Sequence, residues 1–332
     1  MMFVQCLRFV VLFSLVWILP GQVLAASEPS DASLSLGYRV DSLDWNIDGG
    51  SSGPNILSEL EWRDMDILQL RAGLSGANRE GFYFRGSAAY GWVIDGENQD
   101  SDYAGDNRSL EFSRSISEVN GSSVLDVSGG VGFTYLAGES DQIQIIPLIG
   151  YSFHNQKLRM RNANQVVSDS ANFDLYDPDP SKDVPPLGPF AGLDSSYESE
   201  WSGPWLGVDM LLDLQGGSTV FVRMEKHWTN YYAKANWNLR SEFAHPVSFE
   251  HEADGHGWVL ELGWRNPPSR HFWTWGVTAS LQSWTTDAGI DRTFFTDPAS
   301  PCNGNCYSEG RLNEVNWSSR SINVTLSKAF SN

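Results

Sequence analysis

Apolar and polar residues alternate with period two along most of this chain, and the three-to-four-residue period of an amphipathic helix is almost absent. In "HGWVLELGWR", Trp258, Leu260, Leu262 and Trp264 fall on one face of an extended backbone, and Val259, Glu261, Gly263 and Arg265 on the other. "STVFVRMEKHW" behaves the same way: Val220, Val222, Met224 and Trp228 oppose Phe221, Arg223, Glu225 and His227. "ASLSLGYRV", "RHFWTWGVTASLQSW" and "RSINVTLSKAF" repeat the pattern. It predicts ten strands, over about 32–47, 55–76, 80–95, 122–137, 142–164, 195–214, 218–232, 251–266, 270–290 and 313–330. Short turns such as "AGESDQ", "LQGG" and "NPPSR" alternate with long polar loops at about 96–121, 165–194, 233–250 and 291–312.

A soluble β-sandwich also alternates, but it buries its apolar faces and turns its charges outward. Here the apolar faces carry Trp and Tyr near segment ends, as in the aromatic girdles of a membrane barrel, and the charges share the opposite face. The expected fold is all-β, a ten-stranded antiparallel transmembrane β-barrel with long extracellular loops and short periplasmic turns. Several strands exceed the roughly 9–11 residues that cross a bilayer, so the barrel should project beyond it. So few strands leave an interior that side chains nearly fill, which argues against a wide porin. Arg39, Asp41, Arg85, Arg223, Glu225, His227, Glu261 and Arg265 should therefore pair with one another in a plugged lumen, because an unpaired buried charge costs several kcal/mol. A narrow small-solute channel requires a continuous wet path between them.

The N-terminus adds a location. "MMFVQCLRFVVLFSLVWILPGQVLA" has an apolar core too short to span a membrane and an A-x-A-like site, so residues 1–25 read as a secretory signal peptide and 26–332 as the barrel. The destination is the outer membrane of a Gram-negative bacterium. After the cut two cysteines remain, Cys302 and Cys306 in "SPCNGNCYSEG"; in an exported chain such a close pair is expected to form a small disulfide loop, and no further soft ligand is nearby for a metal. Acidic residues outnumber basic ones 41 to 22, which argues against a nucleic-acid partner.

One short motif raises chemistry. In "ENQDSDY", where the third strand is expected to run out, Asp100 and Asp102 point the same way and can aim at one reacting centre. The bland alternative is a solvated acidic loop; a cation site with Asp106 is a third reading. "NILSELEW", "GSAAYGWVIDGENQDSDY" and "YESEWSGPWLGVDM" resemble strands two, three and six of the omptins, ten-stranded outer-membrane aspartate proteases. That resemblance implies an Asp pair facing an Asp-x-His pair across the barrel mouth, with a water between them as nucleophile and the histidine as general base. It also implies lipopolysaccharide as a bound lipid, beside which no cofactor is expected.

Asp100 and Asp102 match the first pair. The second belongs at the top of the seventh strand or in the loop after it, where "EKHWTNYYAKANWNLRSEFAHP" contains no Asp. Asp254-Gly255-His256 has the literal spelling but opens strand eight; ring closure would have to bring it towards Asp100. Glu225 and His227 alternate correctly but sit low, as lumen packing. The sequence thus predicts a monomeric, non-proteolytic omptin-like barrel with a structural or surface-interaction role and an unidentified ligand for its loops. The alternatives are an endopeptidase using Asp100, Asp102, Asp254 and His256, and the narrow channel.

Overall fold

In a computed structural model, the described residues are 30–330 except 79–80, 139–141, 180–181, 190, 268–272 and 297–305. The strands are β1 (Ser30–Ile47), β2 (Ser58–Ala77), β3 (Phe82–Gly105), β4 (Ser109–Glu118), β5 (Ser123–Phe133), β6 (Tyr135–Ala137), β7 (Ile143–Ser168), β8 (Gly188–Pro189), β9 (Asp194–Asp213), β10 (Thr219–Asn236), β11 (Phe249–Arg265), β12 (Thr274–Thr286), β13 (Gly289–Phe294) and β14 (Tyr307–Phe330), with one helix, α1 (Ser170–Tyr176), between β7 and β8. All pairings are antiparallel. The sheet closes on itself: β1 pairs with β14 from Ser30↔Phe330 to Ile47↔Leu312 and with β2 on its other side. Ten staves result, because β4 and β5 stand end to end between β3 and β7, and β12 and β13 between β11 and β14. Closure removes the free edges that an open sheet would expose to lipid.

Along each long stave the apolar face changes sides. Near the short turns the outward residues are apolar: Leu34 and Leu36 on β1, Leu260 and Leu262 on β11, Val324 and Leu326 on β14. Beyond a rim marked by Tyr38, Trp92, Trp228 and Trp258, all exposed, the apolar residues turn inward: Leu43 and Trp45 on β1, Phe249 on β11, Val315 and Trp317 on β14. Leu36 is 62% exposed and Leu43, on the opposite face of the same strand, 0%. The lower half is solvated by lipid outside and by polar groups inside. The upper half stands in water as an ordinary β-structure with a hydrophobic core.

The strands outrun their expected ends, which corrects the loops. Segment 96–121 is not a loop: β3 continues to Gly105 and returns as β4. At 95, the expected end of the strand, there is instead a bulge, and Gly96 adopts φ +139° that a side chain would strain. Segments 233–250 and 291–312 are in part taken up by the ends of β10 and β11 and by β13 and the start of β14, and 165–194 contains α1. Asp169 caps α1, its carboxylate accepting from the Asn172 backbone N–H at 3.0 Å. Cys302, and with it the expected 302–306 bridge, lies outside the described residues.

Candidate functional site: a charged lumen beneath an acidic mouth

Alternation turns every second residue of the lower staves into the barrel, and the charges that arrive there pair across it. Arg85 Nε meets Asp209 Oδ2 at 2.9 Å and its Nη2 meets Glu225 Oε1 at 2.7 Å. Glu261 accepts from Arg223 at 2.6 Å and from Arg71 at 3.0 Å. His227 Nε2 shares a hydrogen bond with Glu225 at 2.8 Å, and its Nδ1 another with the Ser152 hydroxyl at 3.0 Å. Arg39 pairs with both Asp41 and Asp126, and Asp126 binds His154 Nδ1 at 2.8 Å. Arg265 reaches Asp31 at 3.5 Å. The expected inward residues Arg39, Arg85, Arg223, Glu225, His227, Glu261 and Arg265 all lie in this network. Arg71, Asp31, Asp126, His154 and Asp209 complete it and were not singled out, although each lies on the inward parity of its strand.

Aromatic side chains pack inside the barrel above these charges. Trp284 and Trp317 stack at 5.2 Å, with Trp201 6.0 and 6.2 Å away, and His154 and His227 pack beneath Trp284 at 4.8 and 4.7 Å. Trp62 stacks on Tyr197 at 5.2 Å, and Trp45 packs edge-on against Phe249 at 5.7 Å. Lower down, Trp205 lies flat over Gly130 and Gly150, where an added Cβ would come within 2.4 and 2.2 Å of its ring. A buried polar chain threads this core: the Tyr197 hydroxyl lies 2.6 Å from that of Tyr231 and 2.9 Å from His251 Nδ1, while His251 Nε2 is 3.3 Å from Asp291.

Over the aromatic floor, Asp100 and Asp102 project inward from β3, half-buried. Asp102 lies directly across from Ser58 on β2 and Ser113 on β4, and both hydroxyls bond its carboxylate. Asp100 lies between Leu60 and Ser115. Desolvation, and then the neighbouring Asp102 charge, push the Asp100 carboxyl well above its ordinary value; desolvation also raises Asp102, against the two hydroxyl bonds and Arg240. Arg240, in the loop after β10, is the cation acting on both, and Tyr176 at the end of α1 lies within electrostatic reach of Asp102.

The second half-site does not assemble there. Asp254 pairs with Asn230 and His256 with Trp228, and residues directly opposed in antiparallel strands share a face. Trp228 is exposed at the rim, so His256 and Asp254 point away from the lumen; the D-G-H is corrected to the outer wall. At the top of β10 the inward positions are Ala233 and Ala235, both buried. The hydrogen bonds of His154, His227, His245 and His251 all go to groups other than the aspartate pair. Among the described residues no histidine is hydrogen-bonded to Asp100 or Asp102, and none is among the groups that shift them. Among them, too, no three His, Cys, Asp or Glu side chains converge as metal ligands.

A closed antiparallel barrel with a lipid-facing apolar belt, a charged lumen and a tall extracellular crown defines an outer-membrane β-barrel of the omptin-like kind. The family model described as Pom, Protochlamydia outer membrane protein, matches residues 33–330, and the chain belongs to that family; it resides in the bacterial outer membrane. No curated protein matches it. Among solved structures it is similar to the outer membrane protease OmpT of Escherichia coli, with a TM-score of 0.70 over 92% of this chain and 97% of that one. At 11% identity that likeness speaks for the fold alone. OprG of Pseudomonas aeruginosa (TM-score 0.31, 10% identity, 92% and 98% coverage) and Ail of Yersinia pestis (0.28, 9%, 90% and 98%) match too loosely to bear on it.

Proposed function

We propose that this protein is a non-proteolytic omptin-like barrel whose extracellular crown and mouth serve in surface interaction. The observation that carries the reading is the missing partner of the aspartate pair: Ala233 and Ala235 occupy the inward positions at the top of β10, the loop after it contains no Asp, and His245 in that loop is bonded to Asn236. Two carboxylates can hold a water, but with no histidine hydrogen-bonded to them they lack the general base of the omptin pattern. Lipid, including lipopolysaccharide against the outer belt, is the expected surrounding partner of a monomer. The aromatic layer across the lumen speaks against the narrow channel, since Trp284, Trp317 and Trp201 fill the section that a solute would have to cross.

The test is cleavage of peptides containing paired basic residues by the purified barrel in lipopolysaccharide. No cleavage is expected, and loss of one member of a catalytic unit normally removes most of the rate. Cleavage by the wild type that disappears in both Asp102→Ala and His256→Ala would overturn the reading in favour of the endopeptidase. Stepwise single-channel conductance in a planar bilayer would favour the channel instead.

A further inference from the structure

The lower end of the lumen contains a chamber that neither the mouth chemistry nor barrel closure requires. A cavity of about 130 Å³ opens at the short-turn, periplasmic end, and Arg71, Arg85, Arg223 and Arg265 line it against only two carboxylates, Asp31 and Glu261. Asp209, which partners Arg85 and Arg223, is fully buried behind them. Serine and threonine hydroxyls from β1, β2, β3, β12 and β14 make up much of the remaining wall. With Glu225, the second partner of Arg85, the four guanidiniums meet four carboxylates, so the charges of the chamber balance and what sets it apart is its surplus of N–H donors.

Hydrogen-bond arithmetic points the same way. Each guanidinium carries five N–H donors. Arg71 donates to Glu261 and Ser87, Arg85 three times to Asp209 and Glu225, Arg223 once to Glu261 and Arg265 once, at 3.5 Å, to Asp31. Most of the donors thus have no acceptor among the described residues. Arg223 Nε and Arg265 Nε are buried with no hydrogen-bond partner among the described residues; Arg223 Nε is 3.2 Å from Asp209 without forming a hydrogen bond to it. A buried donor left unmade costs about 1–3 kcal/mol, so an acceptor in the chamber, water or a solute, stabilises these guanidiniums.

We propose that this chamber is a binding site for a small oxyanion, a phosphate or carboxylate, entering from the periplasm. An oxyanion presents several acceptor oxygens at once, which suits converging guanidinium forks and hydroxyls better than a monatomic anion does. The volume is well below the roughly 300–1,000 Å³ of sites for drug-sized ligands, so a nucleotide or an intact lipid headgroup does not fit. The site lies at the opposite end of the barrel from Asp100 and Asp102, and the proposal stands or falls independently of the mouth.

The experiment titrates the refolded, detergent-solubilised barrel with inorganic phosphate by calorimetry, at constant chloride, with acetate in a parallel arm. Saturable binding of one phosphate or acetate per barrel is expected, with a dissociation constant on the order of 1 mM. The arm that binds tells phosphate from carboxylate, and either supports the proposal. Arg265→Gln, at the chamber edge with one long ion pair, should bind about tenfold more weakly or worse while remaining heat-modifiable on a gel. Should that variant fail to fold, Ser327→Glu, which adds a negative charge to the wall, serves in its place with the same expected loss. No saturable binding of either anion by the wild type, or binding that a folded variant leaves unchanged, would overturn it.

Discussion

Below the aromatic rim each stave turns Leu, Ile and Val outward and Arg, Asp and Glu inward; above it the same staves turn Trp, Tyr and Leu inward and Asp, Glu and Lys outward. On β11, Leu260 faces lipid and Glu261 the lumen, while several residues nearer the mouth Phe249 is buried and Glu250 faces outward. The pairing of β11 with β10 runs unbroken across the rim. What changes is the solvent outside, and each half buries whatever that solvent rejects. The lower half is consequently held by ion pairs, which are strong only while complete, and the upper half by aromatic packing, which degrades gradually. The two halves should fail differently.

The largest effect is expected where an ion pair is cut. Replacing Glu261 by Leu removes the shared partner of Arg71 and Arg223, and leaving buried charge uncompensated costs about 3–5 kcal/mol. Urea unfolding in lipid vesicles measures it. A loss below about 1 kcal/mol would mean that water in the chamber solvates both guanidiniums, and the picture of a charge-locked lower half would be wrong.

A smaller effect separates the halves on one strand face. Leu260 and Asp254 both point outward from β11, one into the belt and the other into water above it. Leu260→Arg should cost about 2–4 kcal/mol in the same vesicles, as a cation placed deep in the hydrocarbon does. Asp254→Arg should stay within about 0.5 kcal/mol, as surface changes usually do. Equal costs would move the rim and remove the inversion.

That inversion also explains which parts were legible in the sequence. Strand faces of the lower half could be read directly, because apolar and charged residues separate cleanly there: Leu260 from Glu261, Met224 from Glu225. In the crown the signal fades. On β3 above the bulge, Asn98, Asp100 and Asp102 point inward while Glu97 and Gln99 also carry polar side chains, so both faces are polar and the segment reads as a loop. β4 hides in the same way, with Ser113, Ser115 and Ser117 on one face and Arg114 and Glu118 on the other. The outward direction of His256 was available from its parity with Trp258, which a spelling match to Asp-x-His overlooks.

Partners were not legible at all. Arg39 finds Asp126, and Arg85 finds Asp209 more than a hundred residues on, through ring closure that no local pattern encodes. Arg240 reaches the aspartate pair from an irregular loop with no period to follow. Alternation assigns a face, whereas contact across the barrel is a property of the closed ring.

The smallest effect is expected at the mouth, where the upper half holds a polar pair against its own rule. Asp100 and Asp102 are only half-buried, and water screens part of their repulsion. Both carboxyl groups are raised above the ordinary 3.8, Asp100 furthest, by desolvation and, for Asp100, by the charge of Asp102. In that range the folded state binds more protons than the unfolded one, so the pair costs no stability below about 3.8. It costs progressively more as pH rises from there through the raised values, and the cost is constant above them. Asp100→Asn removes one charge and relieves Asp102 of its neighbour. The variant should match the wild type in acid and become the more stable of the two as pH rises, the difference levelling off once both aspartates are ionised. Other groups titrate identically in the two proteins, so the difference in unfolding midpoint isolates the pair. A difference that stays flat from about pH 4 to pH 8 would place both side chains in open water, and the crown would then have no desolvated acidic site at its mouth.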